Sequence, residues 1–261
     1  MGLLGDLRRR LSGLPEAVPS TVEPPSGSTS FHCWWDGLGA TGSDADPIVE
    51  VQATLEVLQR PAAPRLYFWA LQASFADAYR TYGAAHIGLQ WNPRHAASTA
   101  VNWGGYGDVA DVRSVLAGSP SPLASTVDDR NTRDFPWAEG VPYRLRVSKA
   151  ASGWRGEITN VSTGVTSHIR DLFAGGDRLT GFVVWSELFC ACTDPQVVVR
   201  WSDFAAATSS GVVRRPQSVR LTFPGGGCPN VDTVRTAEGI VQVAGTPRTA
   251  RDMSVLPLAG R

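Results

Sequence analysis

Within the run PIVEVQATLEVLQ (residues 47–59), residues 49–57 alternate without a break: Val49, Val51, Ala53, Leu55 and Val57 fall on one side, Glu50, Gln52, Thr54 and Glu56 on the other. Side chains of a strand point alternately to its two faces, so this is a half-buried strand with one wet side. The runs RLYFWALQASF, HIGLQW, TAVNWGG, PYRLRVSK, GWRGEITNV, GVTSHIRDL, LTGFVVWSEL, QVVVRWSD, SVRLTF, VDTVRT and GIVQVAG have the same texture. Each is short, rich in β-branched and aromatic residues, and bounded by Gly, Pro, Asp or Ser. Inside the chain, helical spacing occurs only in DVADVRSVLAG (Asp108 to Gly118). The expected fold is all-β: a single antiparallel β-sandwich of jelly-roll type, with about a dozen strands. The runs keep no fixed period, which argues against propeller blades.

The sandwich is expected to span residues 31–247, followed by a C-terminal tail, 248–261. Before it, residues 1–14 put Leu3, Leu4, Leu7, Leu11 and Leu14 on one helical face, with Arg8 to Arg10 mostly off it. Such a short, basic, amphipathic helix suits docking on a protein or a membrane surface. Residues 15–30 are rich in Pro and Ser and read as a linker.

Charge narrows the partners. The 24 basic and 24 acidic residues cancel, so the basic excess of a nucleic-acid binder is missing. No segment reaches transmembrane length and the N-terminus lacks the apolar core of a secretory signal. A cytoplasmic protein with reduced thiols is therefore expected, with export by another route left open. Cys33, Cys190, Cys192 and Cys228 do not have zinc-site spacing; if oxidised, Cys192 would join Cys228, or Cys33 would find a partner.

Turn residues in SKAASG and STG join three strands into a meander from Tyr143 to Arg170. Tyr143, Leu145, Val147, Trp154, Ile158, Val165 and Ile169 then face inward. Arg144, Arg146, Arg155, Glu157, Thr159, Thr166, His168 and Arg170 face out. The outward arginines and His168 suit an anionic ligand, although Glu157 interrupts them and a solvated charged face fits equally.

The stretch AHIGLQWNPRHAASTAVNWGGYG (residues 85–107) holds the best ligand candidates. With Ile87, Leu89, Trp91, Val101 and Trp103 in the core, His86, Gln90, Asn92 and Asn102 must share the opposite face. Planar amides beside small residues and a stackable Tyr106 suit a glycan; an ordinary solvated sheet face gives the same pattern. Of the nine tryptophans, Trp34, Trp35 and Trp137 fall between recognised strands and are the freest to stack on a ligand, whereas Trp69, Trp91, Trp103, Trp154 and Trp201 read as core.

Two carboxylates on strands, Glu157 and Glu187, are the candidates for acid–base catalysis. Glu187 shares a face with Val183 and Trp185, which implies either a raised pKa or a salt bridge to an arginine such as Arg200. In DDRNTRD, Asp128, Asp129, Asn131 and Asp134 offer oxygens to Ca²⁺, but Arg130 and Arg133 oppose a cation and turn formation is the simpler role. No nucleotide, dinucleotide or metalloprotease motif occurs, so no cofactor is expected apart from this calcium.

Through YFWALQASF, AHIGLQWNP, AVNWGGY, YRLRV, GWRGEIT, VVWSELF and VRWSDF, the chain resembles uncharacterised bacterial β-sandwich proteins of concanavalin-like type, over about residues 47–206. By analogy with the lectins and glycosidases of that class, the resemblance implies a sugar ligand. The leading expectation is a non-catalytic domain that binds carbohydrate. The alternatives are a glycoside hydrolase or polysaccharide lyase using Glu157 or Glu187, and a structural domain that docks on another protein.

Overall fold

The computed structural model describes residue 23 and residues 27–38, 45–108 and 111–258. In chain order the first strands are β1 (Thr29–Asp36), β2 (Ile48–Gln59), β3 (Tyr67–Ala76), β4 (Thr81–Trp91), β5 (Thr99–Asp108) and β6 (Asp111–Val115). Next come β7 (Thr132–Asp134), β8 (Pro142–Ala150), β9 (Gly153–Asn160), β10 (Thr166–Leu172), β11 (Arg178–Leu188) and β12 (Val197–Thr208). The chain ends in β13 (Val213–Arg214), β14 (Ser218–Thr222), β15 (Val231–Arg235), β16 (Ile240–Ala244) and β17 (Val255–Pro257).

The strands form two antiparallel sheets. One has nine strands in the order β17-β14-β1-β11-β3-β4-β5-β6, with β7 also pairing β5. The other has eight, β10-β9-β8-β2-β12-β16-β15, with β13 pairing β12. The alternating run PIVEVQATLEVLQ is β2, between β8 and β12, with Val51, Ala53, Leu55 and Val57 buried against the other sheet.

Aromatic rings fill the space between the sheets. Trp69 and Trp103 come from one sheet, Trp154 and Trp201 from the other, and all four are essentially inaccessible. Phe75 stacks on Trp154 at 5.3 Å and meets Trp103 edge-on at 6.4 Å. Gly156 on β9 lies under Trp103, and a Cβ there would come within 2.6 Å of the indole. A side chain at that position would push the sheets apart, costing about 1–3 kcal/mol as overpacking.

The meander over β8, β9 and β10 forms as expected, and β4 pairs with β5 so that Gly88 faces Asn102 and Gln90 faces Ala100. Several expectations are corrected. The described part of DVADVRSVLAG forms no helix and holds β6, paired to the second half of β5. Trp34 and Trp35 lie on β1, and Trp137 is buried in the core and donates its indole N–H to the Gln90 backbone carbonyl at 2.9 Å. Val165 stays exposed because β10 starts one residue later. Arg170 points inward because β10 shifts register between His168 and Arg170, and a one-residue bulge reverses the facing of the residues after it.

Cys192 and Cys228 form a disulfide, while Cys33 and Cys190 are free and buried. Beyond residue 247 the chain adds a further edge strand, β17, on β14. The helix expected over 1–14 and most of the linker, 15–30, lie outside the described residues. Among the described residues no helix is long and apolar enough to cross a membrane.

Candidate functional site

Four titratable side chains on the outer face of the nine-stranded sheet, His32, His86, Tyr106 and Glu187, are held towards their neutral forms. Strand register sets their positions. Gln72 on β3 lies between Val183 on β11 and His86 on β4, and His86 faces Gly104 on β5. Trp185 lies between His32 on β1 and Ala70 on β3, and Glu187 between Ser30 and Phe68. Ala70 and Gly88 are small, so larger rings close over them: Phe68 meets His86 at 5.3 Å and Trp185 at 4.9 Å, and His86 meets Trp185 at 5.6 Å.

Burial in this aromatic setting disfavours charge. It drives the His86 imidazole down to about 4. It also lowers His32 and raises Glu187. Neither His86 nor Glu187 hydrogen-bonds or pairs with any described residue. His32 keeps Thr222 through Nδ1 at 3.0 Å, and Thr222 also accepts the Trp34 indole N–H at 3.2 Å.

Gln72 is oriented. Its Oε1 accepts the indole N–H of Trp185 at 3.2 Å, so its NH₂ group is the end left to donate. Tyr106 is raised by burial, with a smaller opposing effect from its hydrogen bond to Gln72. His86, Gln72, Tyr106 and Trp185 thus form one cluster. Glu187 belongs elsewhere on the face: two strands over and four residues along from His86, it lies about 16 Å away at Cα.

The amides proposed beside His86 take another role. Asn92 donates to Gln90 Oε1 at 3.0 Å, and Asn102 donates to Thr132 Oγ1 at 2.9 Å. β7 lies along the first half of β5, pairing Asn102 with Thr132, and only 6 % of Gln90 and of Asn102 stays exposed. The hydrogen bonds therefore link Tyr106 to Gln72 beside His86, and tie Asn92 to Gln90 and Asn102 to Thr132.

The carboxylates separate as well. Glu157 lies on the outer face of the other sheet, bound to Arg146 at 2.8 Å. Arg200 pairs with Glu56 on that same sheet, not with Glu187 on the opposite one. The oxygens of DDRNTRD do not converge on a calcium. Asp129 accepts the Asn131 N–H, while Asp134 holds His95 at 2.7 Å and the Thr126 N–H at 2.8 Å. Among the described residues no group of three or more His, Cys, Asp or Glu is placed to hold a metal.

Gln72, Trp185, His32 and Trp34 were not singled out from sequence as members of a site on this face. The available signal was alternation in YFWALQASF, which sets Phe68, Ala70, Gln72 and Ser74 opposite the core set.

No family model matches the chain, and no curated protein matches it. Solved structures that resemble it include scytalido-glutamic peptidase with a peptide-based transition state analog (TM-score 0.48, 11 % identity). The same peptidase with a transition state analog inhibitor gives 0.45 and 12 %, and SCP-B, a member of the Eqolisin family of peptidases in a complex with a tripeptide Ala-Ile-His, gives 0.43 and 11 %. Each match covers 84 % of this chain and 98 % of the other. Against the expectation of a non-catalytic, carbohydrate-binding domain, the neighbours found are peptidases, a likeness of fold alone. The burial of Gln90 and Asn102 removes the amide face on which the glycan reading stood.

Proposed function

We propose that the outer face of the nine-stranded sheet is a hydrolytic site for a carbonyl substrate, an ester or an amide. His86 is the general base and the Gln72 amide stabilises the oxyanion. The carrying observation is a neutral, unpaired imidazole directly opposite an amide whose oxygen is already occupied by Trp185.

Above about pH 4 the His86 imidazole is free to take a proton from water. The hydroxide so formed adds to the carbonyl carbon, and the C=O electron pair moves onto oxygen, facing the Gln72 N–H. Collapse of the intermediate expels the alcohol or amine, which leaves with the proton held by His86. Phe68, Trp34 and Trp185 offer an apolar seat for the group next to the carbonyl. A positioned base contributes about 10²–10⁴ in rate, and one oxyanion donor about 10²–10³.

The test is turnover of a panel of p-nitrophenyl esters and fluorogenic peptides. The wild-type chain is expected to hydrolyse at least one of them, and His86→Ala and Gln72→Leu each to lower kcat by about 10² with the fold retained and the melting temperature lowered by no more than about 4 °C. Absence of turnover across the panel, or turnover that neither substitution alters, overturns the assignment.

A further inference from the structure

The outer face of the eight-stranded sheet pairs its charges almost throughout. Arg146 bridges Glu50 and Glu157, Arg155 and His168 share Asp171, and Arg200 holds Glu56. Arg144 stands apart. In register it lies between Thr54 on β2 and Thr159 on β9, and Thr166 on β10 follows Thr159, so its row carries hydroxyls and no carboxylate.

Arg144 makes no hydrogen bond or ion pair with any described residue. Its Nε is buried with no acceptor, and the neighbouring Thr54 Oγ1 is buried with no partner either. Arg144 lines a groove of about 610 Å³ together with Glu50, Arg146, Glu157, Thr159 and Thr166. A guanidinium N–H left without an acceptor costs free energy that an incoming acceptor recovers. Thr159 and Thr166 share one hydrogen bond at 2.8 Å, so whichever hydroxyl accepts keeps its own proton to donate.

The charges beside Arg144 limit what enters. Glu50 and Glu157 outnumber Arg146 by one, and Arg144 brings the local sum to zero. A dianion would meet two carboxylates at the groove wall, whereas a single carboxylate meets a planar fork of matching geometry and a row of hydroxyls. We propose that the groove over Arg144 is a binding site for one carboxylate group, such as that of a small organic acid or a peptide C-terminus. It lies on the opposite face of the sandwich from His86 and does not depend on the hydrolytic reading.

The test is a titration of the full chain at low salt with N-acetylglycine and, separately, inorganic phosphate, followed by calorimetry and by the NMR signal of the Arg144 Nε–H. N-acetylglycine is expected to bind and move that signal, and phosphate to bind at least about tenfold more weakly. Arg144→Gln should weaken N-acetylglycine about tenfold, and Arg144→Lys, which keeps the charge and loses the fork, should recover only part of the loss. Thr159→Val weakens it as well, which keeps the test decisive if Arg144→Gln fails to fold. Equal affinity in all these variants, tighter binding of phosphate, or no binding of either probe overturns the proposal.

Discussion

Trp185 reaches across one strand boundary and donates its indole N–H to the side-chain oxygen of Gln72 at 3.2 Å. That bond decides which end of the amide is free, because an amide has one acceptor end and one donor end. Trp185→Phe keeps a ring against Phe68 and His86 but removes the donor, so the Gln72 amide is free to turn over. On the hydrolytic reading, kcat is expected to fall about tenfold with KM within about twofold, at a stability cost of about 1 kcal/mol. Steady-state kinetics and a denaturant melt of the one variant check both figures.

The elements that sequence made legible are those where apolar and polar residues contrast. β2, the β4–β5 hairpin and the β8–β10 meander alternate cleanly, and facing follows from alternation. β1 escaped because its outward positions include His32 and Trp34, which blur the contrast with Phe31, Cys33 and Trp35 inside. The cover on Asn102 escaped for another reason. Thr132 pairs with it from thirty residues away, and no local pattern in either segment announces that contact. Within the site, His86 and Tyr106 were legible as polar residues on strands. Gln72 shares its outward face with Phe68 and Ala70, and Trp185 shares its own with Val183, so large apolar neighbours masked both as members of a site.

The outer-face groups make stability depend on pH in opposite directions. His86 falls from 6.5 to about 4 on folding, so between those values the unfolded chain takes up a proton that the folded chain refuses. Its contribution is therefore lost as pH drops from about 6.5 towards 4. Glu187 is raised, so the unfolded chain ionises more readily and stability is lost as pH rises past the usual carboxylate range. Glu187→Gln removes that cost and is expected to raise the melting temperature at pH 7 by about 2–4 °C. The gain should shrink towards pH 4, where the wild-type carboxyl is itself protonated. Thermal melts of both proteins from pH 4 to 8 test it, and an equal shift at every pH contradicts the burial effect.

The Cys192–Cys228 disulfide closes a loop across a sequence separation of 36 residues. Around it, Cys228 N–H donates to Thr29 Oγ1 and Asn230 Nδ2 donates to the Cys192 carbonyl, both at 2.8 Å. In the chain-entropy account a loop of this length contributes about 3–4 kcal/mol. Cys228→Ser, or reduction, is expected to lower the melting temperature by roughly 10 °C. The other two thiols should stay silent meanwhile. Cys33 is buried, and burial with the nearby Asp194 carboxylate pushes Cys190 up to about 11, so neither presents a thiolate at neutral pH. Mass spectrometry after iodoacetamide treatment should find no label on the native protein and labelling of Cys33 and Cys190 once it is unfolded.

Arg170 holds the segment that covers the former amide face. Turned inward by the bulge in β10 and 2 % exposed, it donates through Nη1 to the Arg130 carbonyl at 2.7 Å and to Asn131 Oδ1 at 3.1 Å. Asn131 in turn lies over Gly104, where a Cβ would come within 2.7 Å of its side chain, and its backbone oxygen accepts the Trp103 N–H at 2.8 Å. Arg170→Met fills similar volume with no donor, leaving two acceptors unmet and the loop without its anchor. The expected cost is about 1–3 kcal/mol in global stability. A sharper expectation concerns the Trp103 amide, whose bond to Asn131 depends on the loop staying down. Its hydrogen exchange should speed up by more than global stability alone accounts for, while the amide of Ile158 in the meander tracks the global change. Uniform acceleration of both amides would show that Arg170 supports the core as a whole and does not act as a local latch.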